Sequence, residues 1–200
     1  MDKKKIKGML KKFWWFIWED ESIWSWIVNV ILAFVLIKFI VYPGLGLILG
    51  TGYPIVAVVS SSMEHDGSFD DWWSLQDDWY TEFNIDVDEF RSYDFKNGFN
   101  KGDIMILYGA KPKNIELGEV IVFRSNRPDP IIHRVVKTWS DDNEYYFQTK
   151  GDHNPDSIQS IGLDETNINE KQVIGKAVVR IPFLGYIKIW FVDLIKLFVK

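Results

Sequence analysis

The first sixty residues are the most apolar part of the chain. From Ser22 to Met63 the only charged residue is Lys38. The apolar stretch 23–43 has the roughly 20 residues that a helix needs to cross about 30 Å of hydrocarbon. It predicts a transmembrane helix over 23–43, which Pro43 would close because proline is poorly tolerated in a helix interior.

The segment 1–22 before this helix is basic and aromatic. Its lysines and large apolar residues are Lys3, Lys4, Lys5, Lys7, Lys11, Lys12, Phe13, Trp14, Trp15, Phe16, Ile17 and Trp18. Such a segment suits a cytoplasmic or headgroup boundary, and the positive-inside rule puts Met1 in the cytoplasm and the rest of the chain outside. A cleaved signal peptide is the alternative, but the apolar run is long for one and no A-x-A-like site follows it.

The segment 44–186 reads as a mainly β domain. A turn-rich connector follows Pro43, and then short runs rich in β-branched or aromatic residues alternate with turn residues. We expect a sheet curled into a barrel. The predicted strands are 55–59, 103–108, 120–124, 130–136, 145–149 and 173–180.

The segment 64–101 interrupts this pattern with acidic and aromatic residues. The aromatic side chains can pack, so we expect a solvated cap with an aromatic underside. A calcium site is the alternative, although no D-x-[DN]-x-[DN]-G loop is present.

The last segment, 187–200, predicts an amphipathic helix beside the membrane. Lys188, Lys196 and Lys200 share one face, and apolar residues surround the remainder. The segment is too short to span a bilayer alone, so an interfacial helix is favoured over a second span.

Composition removes several classes of function. The 200 residues carry a net charge of −5, which argues against a nucleic-acid partner because phosphates require a basic face. The absence of cysteine excludes a disulfide scaffold, a thiolate zinc site and a cysteine nucleophile. We predict neither a cofactor nor a metal.

Candidate chemistry is confined to a few places. Ser62 follows the first predicted strand, His133 lies within another, and Asp152 and Asp156 lie in a turn after a third. A hydroxyl nucleophile needs a base and a carboxylate that orients the base, and these residue types supply all three. Taken singly, each segment is more typical of a structural role.

Taken in chain order, these segments resemble the sequence motifs, or boxes, of the type I signal peptidases. They are Val58-Val-Ser-Ser-Ser-Met63, Gly102-Asp-Ile104, Gly118-Glu-Val-Ile-Val122 with Ile131-Ile-His-Arg-Val-Val136, Thr149-Lys-Gly-Asp-His-Asn154, and the closing runs 173–177 and 181–186. Bacterial members carry a lysine where this chain has His133. The resemblance is therefore to the archaeal and endoplasmic-reticulum branch, which uses Ser, His and Asp.

This resemblance implies a role for each residue. Ser62 would be the nucleophile, His133 the general base, Asp156 the acid that orients the imidazole, and Asp152 a second required acid. Which aspartate orients His133 is open, because their spacing is shorter than in the eukaryotic branch. The Ser60 hydroxyl would help the Ser62 backbone N–H to stabilise the oxyanion.

The implied activity is removal of signal peptides from preproteins after small residues. The enzyme would be anchored in the cell membrane with its active site on the outer face, and would associate with the lipid bilayer and with the secretion translocon. His65 and His153 are rival bases. Two other functions remain open: a membrane-anchored β interaction domain without activity, and a membrane serine peptidase with another substrate.

Overall fold

The computed structural model describes residues 3–187, 189, 190 and 194. The chain divides into two compact units, Met1–Ile48 and Leu49–Lys200. The amphipathic helix predicted over 187–200 lies mostly outside the described residues.

The first unit is helical. Helix α1 (Lys3–Trp18) is followed by a short turn and by helix α2 (Ile23–Leu36). Polar side chains of α2 bind the last turn of α1: the Ser25 hydroxyl donates to the Phe16 carbonyl at 2.6 Å, and the Asn29 amide donates to the Ile17 carbonyl at 2.9 Å. Carbonyls at a helix C-terminus have no partner within the helix, so these bonds explain two polar residues in an apolar segment.

The apolar helix extends beyond its predicted end. A π-helical turn (Ile37–Val41) leads into helix α3 (Tyr42–Leu49), which gives one candidate membrane span of 27 residues over Ile23–Leu49. Pro43 does not end the helix because the π-helical turn just before it, in which the Tyr42 N–H donates to the Ile37 carbonyl, adjusts the backbone hydrogen bonds where proline removes one. The helix ends instead at Gly50, whose φ of +66° favours glycine.

The second unit is mainly β, which confirms the predicted fold class. Seven strands form one curled sheet in the order β1-β2-β9-β3-β4-β5-β8, and β6 and β7 form a small hairpin. All six pairs of neighbouring strands in the large sheet are antiparallel. The strands are β1 (Ile55–Ala57), β2 (Ile104–Tyr108), β3 (Val120–Phe123), β4 (Ile131–Asp141), β5 (Glu144–Lys150), β6 (Gln159–Ser160), β7 (Leu163–Asp164), β8 (Ile168–Asn169) and β9 (Val173–Ile181).

The sheet is buried on both sides at β3. Successive side chains of a strand point to opposite faces. Val120 and Val122 therefore pack in one apolar cluster with Met63 and Met105, while Ile121 and Phe123 pack in another with Val135 and Phe147. This central strand holds its neighbour β4, and with it His133, in a rigid position.

The insertion 64–101 contains three short helices: α4 (Phe69–Trp73), α5 (Asp77–Glu82) and α6 (Val87–Ser92). Their inward side chains Trp72, Tyr80, Ile85 and Phe90 are buried together against Val136 of β4. The aromatic underside expected from the sequence thus packs directly on the strand that carries His133.

Gly109 allows a close approach that a side chain would block. Its N–H donates to the Leu49 carbonyl at 2.8 Å, and a Cβ at this position would lie 1.9 Å from the Gly50 carbonyl oxygen. We predict that Gly109→Ala lowers the free energy of unfolding by about 2 kcal/mol, because backbone must move to relieve the clash. Chemical denaturation of the detergent-solubilised protein measures this change.

Gly162→Ala is the matched control. A Cβ at Gly162 would meet its nearest neighbouring atom at 3.9 Å, which is ordinary contact. Equal stability losses in the two variants would contradict the role assigned to Gly109.

Candidate active site

Ser62 lies in a turn just beyond edge strand β1. The strand pairing continues to Val58, whose N–H donates to the Asp103 carbonyl at 2.8 Å and whose carbonyl accepts the Gly102 N–H at 2.9 Å. Beyond it, the Ser62 carbonyl accepts the backbone N–H of His153 at 2.9 Å. The serine is therefore fixed by main-chain bonds on both sides while its side chain stays partly exposed.

His133 reaches Ser62 from β4. His133 is only 3% exposed, and its backbone is paired with Ile121 of β3. Its Nε2 lies 2.9 Å from the Ser62 Oγ. The structure thus brings together the two residues that the sequence proposed as nucleophile and base.

The other ring nitrogen of His133 is bound by Glu165. Nδ1 of the imidazole contacts the Glu165 carboxylate, which is fully buried and also accepts the Thr149 hydroxyl at 2.8 Å and the Ile158 N–H at 2.9 Å. Because a carboxylate only accepts, Nδ1 carries the proton and Nε2 is free to accept from Ser62. Glu165 therefore occupies the orienting position.

Asp156, which the sequence favoured for that position, lies at the surface beside the insertion. Its carboxylate accepts the Trp79 Nε1–H at 3.0 Å and the Ser157 N–H at 2.6 Å. Sequence reasoning missed Glu165 altogether, since it stands beside Asp164 in a polar stretch without a recognisable motif.

Asp152 lies at the centre of a second, fully buried network. Its Oδ1 accepts Arg134 Nε at 2.9 Å and the Tyr80 hydroxyl at 3.2 Å, and its Oδ2 lies 2.7 Å from Arg134 Nη2 and 3.0 Å from His65 Nε2. Burial alone would raise the pKa of Asp152, but the Arg134 charge and these hydrogen bonds outweigh it and hold the pKa well below its usual range. Asp152 is thus a buried anion with every acceptor position used.

The rival histidines are engaged elsewhere. His65 binds Asp152 and stacks on Trp72 with ring centroids 3.7 Å apart. His153 is half-exposed, with Nδ1 3.7 Å from the Asp66 carboxylate. Only His133 has a ring nitrogen hydrogen-bonded to Ser62 among the described residues.

The surroundings of Ser62 leave little free space on one side and a cleft on the other. A Cβ at Gly151 would lie 2.7 Å from the Ser62 carbonyl and 2.8 Å from His133 Nε2, so no larger residue fits there without movement. The Ser60 hydroxyl lies 3.1 Å from the Ser62 Oγ. The cleft has a volume of about 480 Å³ and is lined by Ala57, Val59, Ser60, Ser61, Ser62, Arg127, Pro128, Asp129, Pro130, Ile131, Ile132, His133, His153, Asn154 and Ile158.

The site has the geometry of a serine hydrolase: a hydroxyl is hydrogen-bonded to an imidazole, and the imidazole to a buried carboxylate, beside a cleft.

No protein-family model matches the chain. The chain is, however, similar to proteins named signal peptidase complex catalytic subunit SEC11, at 27% identity over 155 residues in Yarrowia lipolytica and 28% over 154 in Fusarium vanettenii, each match covering 76% of this chain and 71% of the relative.

A human relative, signal peptidase complex catalytic subunit SEC11C, is 28% identical over 152 residues, which cover 74% of this chain and 62% of that protein. These homologues confirm the resemblance to the type I signal peptidases that the sequence boxes predicted.

Lys150 gives the site a pH-dependent stability. It is fully buried beside the Asp152 carbonyl, and this burial lowers the pKa of its ammonium group from 10.5 to about 8, although the Asp152 and Glu165 charges oppose the shift. Between these two values the unfolded chain binds more protons than the folded one, so stability rises with pH. We predict that wild-type stability increases from pH 8 to pH 10.5 relative to Lys150→Met, by on the order of 3 kcal/mol.

Urea denaturation of both proteins across this range measures the difference. Other titrating groups contribute equally to the free energy of unfolding of the two proteins, so their effects cancel in the difference. A difference in this free energy that stays flat or falls with pH would show that Lys150 is not desolvated in the folded state.

Proposed function

We propose that this chain is a membrane-anchored serine endopeptidase that removes signal peptides from preproteins. The observation that carries the proposal is the hydrogen-bonded series Ser62, His133 and Glu165 beside an open cleft. The named function of the homologues, catalytic subunit of signal peptidase, supports the substrate class.

In the first half of the reaction, the Ser62 Oγ attacks the carbonyl carbon of the scissile peptide bond. Nε2 of His133 takes the hydroxyl proton as the new C–O bond forms, and Glu165 stabilises the resulting imidazolium through Nδ1–H. The negative oxygen of the tetrahedral intermediate is stabilised by the Ser62 N–H and the Ser60 hydroxyl. Collapse breaks the C–N bond, and the imidazolium gives its proton to the leaving amine.

The second half releases the signal peptide from Ser62. A water molecule attacks the ester carbonyl while Nε2 of His133 takes one of its protons. When the C–Oγ bond breaks, that proton returns to Oγ and restores the serine. Ser62, His133 and Glu165 each end the cycle in their starting protonation state.

Strand β1 is suited to bind the substrate. It is an edge strand of the large sheet, and the cleft runs beside its end at Ala57 and Val59. An extended peptide can add to such an edge through main-chain hydrogen bonds, with alternate side chains in pockets. Because Ser62 follows this strand in the chain, a peptide added along β1 would extend towards the nucleophile.

The candidate span Ile23–Leu49 anchors the enzyme where signal peptides emerge from the membrane. The lysines of α1 support a cytoplasmic N-terminus, and with it we propose an active site on the outer face. The homologues are named as subunits of a signal peptidase complex, so further subunits and the secretion translocon are the partners that we propose.

The nucleophile and the base are tested with a secretory preprotein in detergent. We predict that wild type cleaves after a small residue and that Ser62→Ala and His133→Ala each reduce kcat by about 10⁴-fold, because the three groups act as one unit. The rate of cleavage and the new N-terminus are measured by gel and mass spectrometry. Thermal melting shows whether each variant is folded.

Ser157→Ala provides a matched control, because this serine is buried but its hydroxyl binds the Thr149 carbonyl at 2.7 Å rather than an imidazole. Cleavage that survives Ser62→Ala would reject the mechanism and favour a non-enzymatic interaction domain. If the protein cleaves other membrane proteins but not the preprotein, the alternative of a membrane serine peptidase with another substrate is favoured.

Glu165 and Asp156 are distinguished by a pair of amide variants. We predict that Glu165→Gln lowers kcat by about 10³-fold, because an amide can no longer fix the productive tautomer of His133. Asp156→Asn should stay close to wild type, since its carboxylate accepts only from Trp79 and Ser157 among the described contacts. Steady-state kinetics on the same preprotein measure both.

The reverse result, an inactive Asp156→Asn with an active Glu165→Gln, would restore the assignment favoured by the sequence. Both variants remove one negative charge, so a general effect of charge would lower their activities equally.

A further inference from the structure

The insertion 64–101 supplies hydrogen bonds directly to the buried acid next to the active site. The Tyr80 hydroxyl of α5 donates to Oδ1 of Asp152 at 3.2 Å, and Nε1 of Trp72 in α4 donates to the Asp152 carbonyl oxygen at 3.1 Å. Tyr80 is fully buried and Trp72 is 3% exposed, so water does not compete for either bond. Burial and the Asp152 charge raise the pKa of Tyr80 well above its ordinary value, which keeps its hydroxyl a donor.

Asp152 in turn touches both reacting segments. On the nucleophile side, its N–H contacts the Met63 sulfur at 3.4 Å, and the N–H of the next residue, His153, holds the Ser62 carbonyl at 2.9 Å. On the base side, its carboxylate holds Arg134, the residue next to His133 on β4.

Arg134 extends the link back into the insertion. Its Nη atoms donate to the carbonyls of Asp94, Phe95 and Gly118 at 2.8 to 2.9 Å, and its guanidinium lies 4.7 Å from the Phe90 ring centroid. With two bonds to Asp152, all five of its N–H groups are used. The insertion therefore contacts both members of the Arg134–Asp152 ion pair.

We propose that the insertion is part of the catalytic apparatus and that Tyr80 and Trp72 are positioning residues, which act through Asp152 on Ser62 and His133. The inference rests on the proposed peptidase function. Neither residue touches the reacting atoms. Their donors complete the hydrogen bonding of Asp152, which joins the turn that carries Ser62, through backbone N–H groups, to β4, through its carboxylate.

Tyr80→Phe is the central test, because it keeps the ring that packs 4.9 Å from Phe90 and removes only the hydroxyl. We expect kcat to fall about tenfold, since a small misplacement of the nucleophile relative to the base is costly. KM should change little, because the substrate cleft is not lined by Tyr80. Both constants are measured on the full chain in detergent, with the folded fraction determined in parallel.

Tyr93→Phe is the matched control within the same insertion. The Tyr93 hydroxyl donates to a carboxylate at 2.8 Å, as Tyr80 does to Asp152, but its acceptor is Glu89 on the helix surface. We expect kcat and KM of this variant to equal those of wild type. Trp72→Phe is a second positioning variant, which loses the bond to the Asp152 carbonyl and should also lower kcat with KM unchanged.

The outcomes separate this inference from the proposed function. If Ser62→Ala is inactive while Tyr80→Phe and Trp72→Phe keep the wild-type kcat, the positioning role is rejected and the peptidase stands. A loss of kcat that only follows the folded fraction, or an equal loss in Tyr93→Phe, also rejects it. If Ser62→Ala cleaves as wild type does, the peptidase itself is rejected.

Discussion

The structure of the catalytic unit depends on one buried ion pair. Arg134 and Asp152 have no exposed surface, and charges in such a place are stable only when every donor and acceptor is used. The five N–H groups of Arg134 and the four acceptor positions of Asp152 meet this condition. The partners come from β4, the turn after β5, the turn before β3 and the insertion, so these parts cannot move independently.

The proposed catalytic series and the ion pair are interleaved along the chain. His133 precedes Arg134 on β4, and consecutive residues of a strand point to opposite faces, so one reaches the cleft side and the other the insertion. The two networks are thereby kept apart: the Glu165 carboxylate contacts the His133 imidazole, and the Asp152 carboxylate binds the Arg134 guanidinium. One strand thus carries both the proposed base, His133, and the arginine of the ion pair.

Much of this could be predicted from local sequence. The strands were predicted because runs of β-branched residues such as those in β3 and β9 fit a buried sheet. Ser62 and His133 were proposed as nucleophile and base because they lie in recognisable sequence boxes. Glu165 was missed because its place beside His133 is set by long-range pairing, and nothing local separates it from Asp164. The helix past Pro43 was missed because the π-helical turn that accommodates this proline has no signal in the local sequence.

The length of the candidate span Ile23–Leu49 has a consequence for any bilayer that it crosses. At about 1.5 Å per residue its 27 residues extend about 40 Å, whereas the hydrocarbon core is about 30 Å thick. This excess is a positive hydrophobic mismatch, which a helix relieves chiefly by tilting. The side-chain bonds from Ser25 and Asn29 fasten α1 to the start of this helix, so the two helices must tilt together when the thickness of the bilayer changes.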